Sequence, residues 1–513
     1  MIRSFADAYR QRAALRAATG KTDEAIADLD SLIRLEPQNS RALNARGYLH
    51  FEKKEYAKAN ADYTNAIQIK PNDSLYNERG RVWMAQKEYE KALADFNESL
   101  ALNAKNVFAL SNRGTVFRIR GELDKAIDNY TEALKINPKL VYALDGRASA
   151  WLNKGENQKA ADDWGAVVKV DPKNVAAWND RGVAFKRMGN TDNALADFTE
   201  AISIDPNYKL ALANRGDIFR DKEEFEKAFA DYDAAIRVDP KYVYALNARG
   251  IACYRERQYA KAIADFTETL KYSPDYKWAF ANRGDAWRDQ GEYEKALADY
   301  DAALKLDPKY TYALNARGIT RFRQNDYEGA IVAFSEVMKV DPKYKWALAN
   351  RGDMYRKKDE FDKALADYEA ATKIDPKYVY AVSGRGACWL KLGEFDKAKS
   401  AFEEAQKLDE KSPVGFGDLA WFLATCPEAK YRDAKKAVEL ATKACEMTKW
   451  KHASYLMIVA AAHAEAGTFD KAVEWQTKAV DLALPHMKAE YTERLDLFKA
   501  KKPYRETIKG NSF

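Results

Sequence analysis

Along nearly the whole chain, small and apolar residues return in two stripes per cycle, each at helical spacing and each followed by a short polar stretch. In the cycle ending at Pro376, Leu348, Gly352 and Tyr355 share one helix face, and Ala364, Tyr368 and Ala371 share a second. Lys357-Lys358-Asp359-Glu360 between the stripes predicts a turn. Asp375-Pro376 predicts the end of the second helix, because a proline pushes the residue before it out of the helical region. Gly352 and Ala364 are small enough to let the two helices approach closely. Each cycle therefore predicts one helix hairpin.

The cycle has a fixed length. An arginine followed by Gly or Ala recurs from Arg12 and Arg46 through Arg385, twelve times, at a spacing of 34 residues except for 33 between Arg46 and Arg79. Ten of the 14 prolines, from Pro37 to Pro376, keep the same beat. This pattern resembles the tetratricopeptide (TPR) family, whose W-x2-L-G-x2-Y…A-x3-F…P signature is met at nearly every landmark. The departure is an Arg at the family's Leu position in all twelve cycles; that arginine is counted below as position 7 of its repeat. Two degenerate repeats follow, one opening at Leu419-Ala420-Trp421-Phe422, the other running from about Ser454 to Leu484. The segment around Leu419 to Thr448 is similar to the end of large bacterial TPR proteins. The resemblance implies an all-α, right-handed superhelix of about 14 hairpins. Twelve regular repeats are expected over residues 1–410, two degenerate ones over 411–486, and a capping helix and tail over 487–513, since the last repeat of a solenoid needs a polar cover.

A longer period of 68 residues is also present. Asn214-Arg215-Gly216-Asp217, Asn282-Arg283-Gly284-Asp285 and Asn350-Arg351-Gly352-Asp353 share one version of the repeat; Asn247-Ala248-Arg249-Gly250 and Asn315-Ala316-Arg317-Gly318 share the other. A two-repeat block has been duplicated, so a groove built from it presents the same chemistry again and again.

Composition narrows the function classes. With 84 Lys+Arg against 78 Asp+Glu the chain is nearly balanced, which argues against a nucleic-acid protein working through a strong basic field. No run of eighteen apolar residues occurs, and the first residues carry no apolar signal region. The four cysteines (Cys253, Cys388, Cys426, Cys445) make no disulfide framework, so a cytoplasmic location is expected, with an exported form that has lost a signal peptide as the alternative. The four histidines form no metal motif, and no phosphate loop, dinucleotide fingerprint or nucleophile elbow is present. No catalysis, cofactor or metal is expected.

Three repeated features carry candidate chemistry. In nine of twelve repeats an Asp stands sixteen residues after the position-7 arginine, the exceptions being Asn129, Ala333 and Ala401. An Arg at a position that packs between helices needs a partner, and this Asp is the nearest candidate. Position 5 or 6 carries Asn at Asn112, Asn214, Asn247, Asn282, Asn315 and Asn350, among others. An amide offers donor and acceptor together, so these side chains suit either successive peptide groups of a bound chain or hydrogen bonds between neighbouring repeats. The placement resembles the asparagine ladder of protein O-GlcNAc transferases, with alternation between positions 5 and 6 as a difference. Position 2 is aromatic at Tyr244, Trp278, Tyr312, Trp346 and Tyr380. Positions 9 and 12 give Asp217/Arg220, Asp285/Arg288 and Asp353/Arg356, read as polar groove rungs or as pairs neutralising each other on a solvated face.

The resemblance implies that first helices line a concave groove through these positions. The Lys and Arg that clamp chaperone C-termini in TPR adaptors are missing: Tyr142 and Gly146 follow Asn112, and Tyr244 and Ala248 follow Asn214. The leading expectation is a non-catalytic scaffold whose groove takes an extended polypeptide through the asparagines, the aromatics and Arg220, Arg288 and Arg356. A self-assembling structural solenoid is the alternative, and a polysaccharide groove the third reading. The expected partner is a protein or peptide, with neither nucleic acid nor membrane insertion.

Overall fold

The computed structural model describes residues 2–483 and 487–508. They contain 29 α-helices, a 3-10 turn at Ala429–Tyr431, and no strand. The chain is all-α. Residues group into two compact units, Met1–Ala252 and Cys253–Phe513, with the division inside the helix Val243–Arg255. Within each unit a first helix packs on its own second helix, and that second helix packs on the first helix of the next repeat. In the first unit this runs from Ile2–Ala18 and Thr22–Leu35 to Lys209–Asp221 and Phe225–Val238. In the second it runs from Tyr259–Tyr272 and Lys277–Asp289 to Ala453–Glu465 and Phe469–Leu482, on which Lys488–Lys499 is laid.

The turn inside a hairpin is set by one left-handed residue. After Lys209–Asp221, the Glu223 N–H reaches the Arg220 carbonyl at 3.0 Å and the Glu224 N–H reaches that of Phe219 at 2.8 Å, which satisfies two orphan carbonyls. Glu223 has φ +60° there, and Gly121, Gly189 and Gly393 fill the same place in other hairpins.

The turn between repeats is built by the Asp-Pro pair. The Asp239 carboxylate accepts from the Lys241 N–H at 3.0 Å and from Lys209 Nζ at 2.6 Å, and its carbonyl accepts from the Tyr242 N–H at 2.9 Å. The lysine and backbone bonds hold the Asp239 carboxyl below its ordinary range. Pro240 has no N–H with which to continue the helix.

Eleven of the twelve regular hairpins close on an aromatic ring, the first having Leu29 in its place. Phe198 and Tyr300 are fully buried, and a Cβ added at Gly182 or Gly284 would stand 2.7 Å from the ring carbon Cε1 of Phe198 or Tyr300. That close approach is why glycine follows the arginine.

Candidate functional site

The position-7 arginines form a ladder that also joins repeats. Arg46, Arg79, Arg147, Arg181, Arg215, Arg283 and Arg351 each donate from Nε and Nη2 to both carboxylate oxygens of the Asp sixteen residues on, at 2.6–2.9 Å. The third nitrogen reaches back to the second helix of the preceding repeat. Arg79 Nη1 donates to Thr64, Arg147 Nη1 to Thr131, and Arg351 Nη1 to Ser335, at 3.0–3.1 Å. These arginines are not fully buried: about a fifth of the side chain of Arg79 (19%) and Arg215 (21%) reaches solvent, while Asp95 and Asp231 are 7% exposed.

Repeats without the aspartate are rescued in two ways. Arg113 donates to the neutral Asn129 Oδ1 at 2.7 Å, and burial lowers its guanidinium pKa, whereas the bonds that Arg79 donates to Asp95 raise its own. Where Ala333 and Ala401 stand, Arg317 pairs with Glu336 and Arg385 with Glu404, the latter at 3.1 Å, one helical turn further on.

The asparagines pair with one another. Asn112 Nδ2 donates to Asn77 Oδ1 at 2.9 Å, Asn214 Nδ2 to Asn179 Oδ1 at 3.0 Å, and Asn350 Nδ2 to Asn315 Oδ1 at 3.2 Å. Position 6 of one repeat thus meets position 5 of the repeat before, which explains the alternation. Asn112 is buried, and its carbonyl already accepts from the Tyr142 hydroxyl at 3.1 Å. Its expected role, meeting a peptide group of a bound chain, gives way to repeat-to-repeat hydrogen bonding. Asn214, Asn315 and Asn350 are engaged in the same way. Asn247 is buried and Asn282 half-buried.

The Asp/Arg pairs are not solvated rungs. In the first unit the Asp217 carboxylate, 3% exposed, accepts from the Tyr232 hydroxyl at 2.9 Å, from Lys186 Nζ at 2.8 Å, from Arg220 Nη1 at 3.0 Å and from the Tyr244 hydroxyl. Burial alone would raise its pKa; the charges of Lys186 and Arg220 and the bonds from Lys186 and Tyr244 outweigh it and hold the carboxyl below its usual range. In the second unit Asp285 takes Tyr300 at 2.8 Å, Arg288 at 2.7 Å and the Tyr312 hydroxyl. Asp353 takes Tyr368 at 2.6 Å, Arg356 at 3.2 Å and the Tyr380 hydroxyl. Arg220 and Arg288, 14% and 11% exposed, are committed to these clusters and are not open groove contacts. Arg356 is more accessible, and its Nε has no partner.

What remains at the surface is aromatic. Tyr312 and Tyr380, like Tyr244 in the first unit, spend the hydroxyl on an aspartate of the preceding repeat and leave about two-fifths of the residue exposed. Trp278 and Trp346 are half exposed and pack edge-on against Tyr276 and Tyr344 at 5.2 Å, with Lys277 and Lys345 at 5.0 and 4.9 Å from their rings. In the first unit Phe108 and Tyr142 line a cavity of about 640 Å³ with Phe51, Asn77, Met84 and Ile119.

Family models described as tetratricopeptide repeat match residues 10–74, 74–106, 107–140, 175–208, 243–276, 346–378 and 387–412, and one described as TPR repeat matches 216–256 and 284–325. The chain belongs to the tetratricopeptide-repeat family. No curated protein matches it. Among solved structures, a TPR protein from Parabacteroides merdae ATCC 43184 is 21% identical over 48% of this chain and 99% of that one, with a TM-score of 0.40. Cut9–Hcn1, an APC/C heterotetramer, gives 13% identity, 96% of each chain and a TM-score of 0.46. Yeast Tom70 gives 15% identity, 91% of this chain and 96% of that one, and a TM-score of 0.37.

TPR membership supports a protein-interaction scaffold in general terms. Among the described residues no helix is long and apolar enough to cross a membrane, and no group of three or more His, Cys, Asp or Glu is placed to hold a metal ion. The TPR pattern alone did not disclose the tyrosine–aspartate clusters. A signal was present, however: Tyr232, Tyr300 and Tyr368 stand at the buried aromatic position in the repeats that carry Asp217, Asp285 and Asp353, while Phe198, Phe266 and Phe334 stand there in the repeat before each of them.

Proposed function

We propose that this TPR chain is a non-catalytic scaffold that binds an extended polypeptide along its first helices, gripping it with the position-2 aromatics. The observation that carries this reading is the set of exposed but immobilised rings: Trp278, Tyr312, Trp346 and Tyr380 recur one per repeat, each fixed by an edge-on partner or a hydrogen bond to an aspartate. A ring ordered before binding loses little entropy when a ligand covers it, so each can act as an anchor. The asparagines contribute indirectly, by fixing the angle between successive first helices.

The test is the double variant Trp278→Ala/Trp346→Ala. A partner is captured from lysate with the wild-type chain, identified, and titrated against both proteins. Its affinity should fall by roughly two orders of magnitude, about 2.7 kcal/mol, with helical content and melting unchanged. Equal affinity for the two proteins would rule out the aromatic face as the binding surface.

A further inference from the structure

After the helix Lys488–Lys499 the chain stops being helical, and residues 502–508 run back across the second compact unit without forming any regular element. They cross the last turns of three successive first helices, Val379–Lys391, Pro413–Thr425 and Ala453–Glu465. The contacts are specific. The Glu506 N–H donates to the Thr425 carbonyl at 2.9 Å, and Arg505 Nη1 donates to that of Ala424 at 3.3 Å. Both acceptors are carbonyls at a helix end, which lack partners within the helix. Arg505 Nη2 also pairs with Glu465 at 2.5 Å. Lys391 Nζ pairs with Glu506 at 2.5 Å and donates to the Thr507 carbonyl at 3.2 Å. The Tyr504 ring lies 5.5 Å from that of Trp421, and the Arg494 guanidinium stands 4.6 Å from Tyr504. Glu506 also walls a cavity of about 380 Å³ whose other polar lining includes Asp353, Tyr380, Ser383, Asp418 and Tyr455.

Every feature expected of a bound peptide is present in this segment: non-helical backbone, main-chain hydrogen bonding to the host, and three consecutive side chains that are each received by a different group. Tyr504 meets an aromatic face, Arg505 an acid and the Ala424 carbonyl, and Glu506 a lysine. We propose that residues 504–507 are a built-in ligand, and that the site they fill takes an extended partner peptide presenting an aromatic, a basic and an acidic residue in that order. This inference rests on the scaffold reading and adds to it a place, a sequence class and a competitor. The site is filled in cis until a partner segment displaces it, so the apparent affinity of any such partner is reduced by the fraction of molecules in which the chain's own segment is docked.

The probe is a fluorescent peptide with the sequence of residues 501–508, read by anisotropy against the full-length chain and against its Tyr504→Ala/Arg505→Ala variant. The variant should bind the peptide, and the wild-type chain should bind it about tenfold more weakly. A second peptide with the order of Arg and Glu exchanged should bind the variant at least about tenfold more weakly than the first, since each charge then faces its like. Absence of binding to a variant that keeps the wild-type circular dichroism and melting overturns the proposal, as does equal binding to both proteins. A measurement on the wild-type chain covers the case in which the variant does not fold. Deuterium uptake by residues 501–508 should be slow and should accelerate when excess unlabelled peptide is added; uptake unmoved at saturating peptide shows a fixed structural cap and overturns the proposal. Trp278 and Trp346 make none of these contacts, so the capture experiment above can succeed while this one fails.

Discussion

Replacing Asp285 by Ala is expected to open the surrounding hairpins of the second compact unit by about 3–5 kcal/mol, the usual cost of stranding a buried charge. The Asp285 carboxylate accepts from two tyrosines and an arginine, and Arg288 has 11% of its side chain exposed. Alanine removes the acceptor and leaves a guanidinium and two phenols short of partners at once. Asp289 stays within 3.3 Å of Arg288 and softens the loss, which favours the lower part of the range. Asp285→Asn keeps the acceptor and the shape but not the charge, and should cost about 1–2 kcal/mol. Hydrogen exchange across Lys277–Asp289, Tyr293–Leu306 and Thr311–Arg323 measures both, because a solenoid opens locally and a single melting temperature mixes its repeats. Unchanged exchange in Asp285→Ala would show that the cluster contributes nothing. The same variant frees the Tyr312 hydroxyl, so its ring should also lose order at the surface.

The arginine ladder gives the second large effect. Asp231→Ala should destabilise its repeat by about 2 kcal/mol, below the value for a fully buried pair because a fifth of Arg215 reaches water and screens the stranded charge. Arg215→Leu with Asp231→Ala should cost under about 1 kcal/mol, since leucine is the residue the repeat family places there and neither charge is then left behind. Arg215→Leu alone completes the double-mutant cycle, and the coupling energy should be about 1–2 kcal/mol. A coupling near zero would mean that the two hydrogen bonds at 2.7 and 2.8 Å are offset by the desolvation they require.

Much of the fold was legible because one physical solution is repeated. The 34-residue beat, the Asp-Pro stops and the small residues facing an aromatic each state a local requirement, and every copy states it again. The arginine–aspartate pairing was legible for the same reason, as a constant spacing of sixteen. Its two extensions were not. The bond from Nη1 to Thr64, Thr131 or Ser335 joins different repeats, and the replacement of Asp by Glu336 or Glu404 shifts the partner by a helical turn. Polar roles at the candidate site stayed open between two readings for a related reason. Asn112 and Asp217 occupy first-helix positions that a helical wheel places toward the groove, yet each is covered by the tyrosine at position 2 of the following repeat, Tyr142 or Tyr244. A wheel describes one helix, and the covering side chain arrives from the next. The docking of Tyr504–Thr507 carries no periodic signal at all, since it occurs once and joins residues as far apart as Lys391 and Thr507.

The most direct test of the scaffold reading places a photo-reactive phenylalanine analogue at one of two positions of the second compact unit in the otherwise unchanged chain. Trp346 is half exposed on a first helix, and Val332, 58% exposed, lies on the second helix Tyr327–Val340. After illumination with the captured partner present, the label at 346 should link to a short contiguous run of partner residues, and the label at 332 should link to none. Links formed from 332 as readily as from 346, or links only to further copies of this chain, would contradict the account.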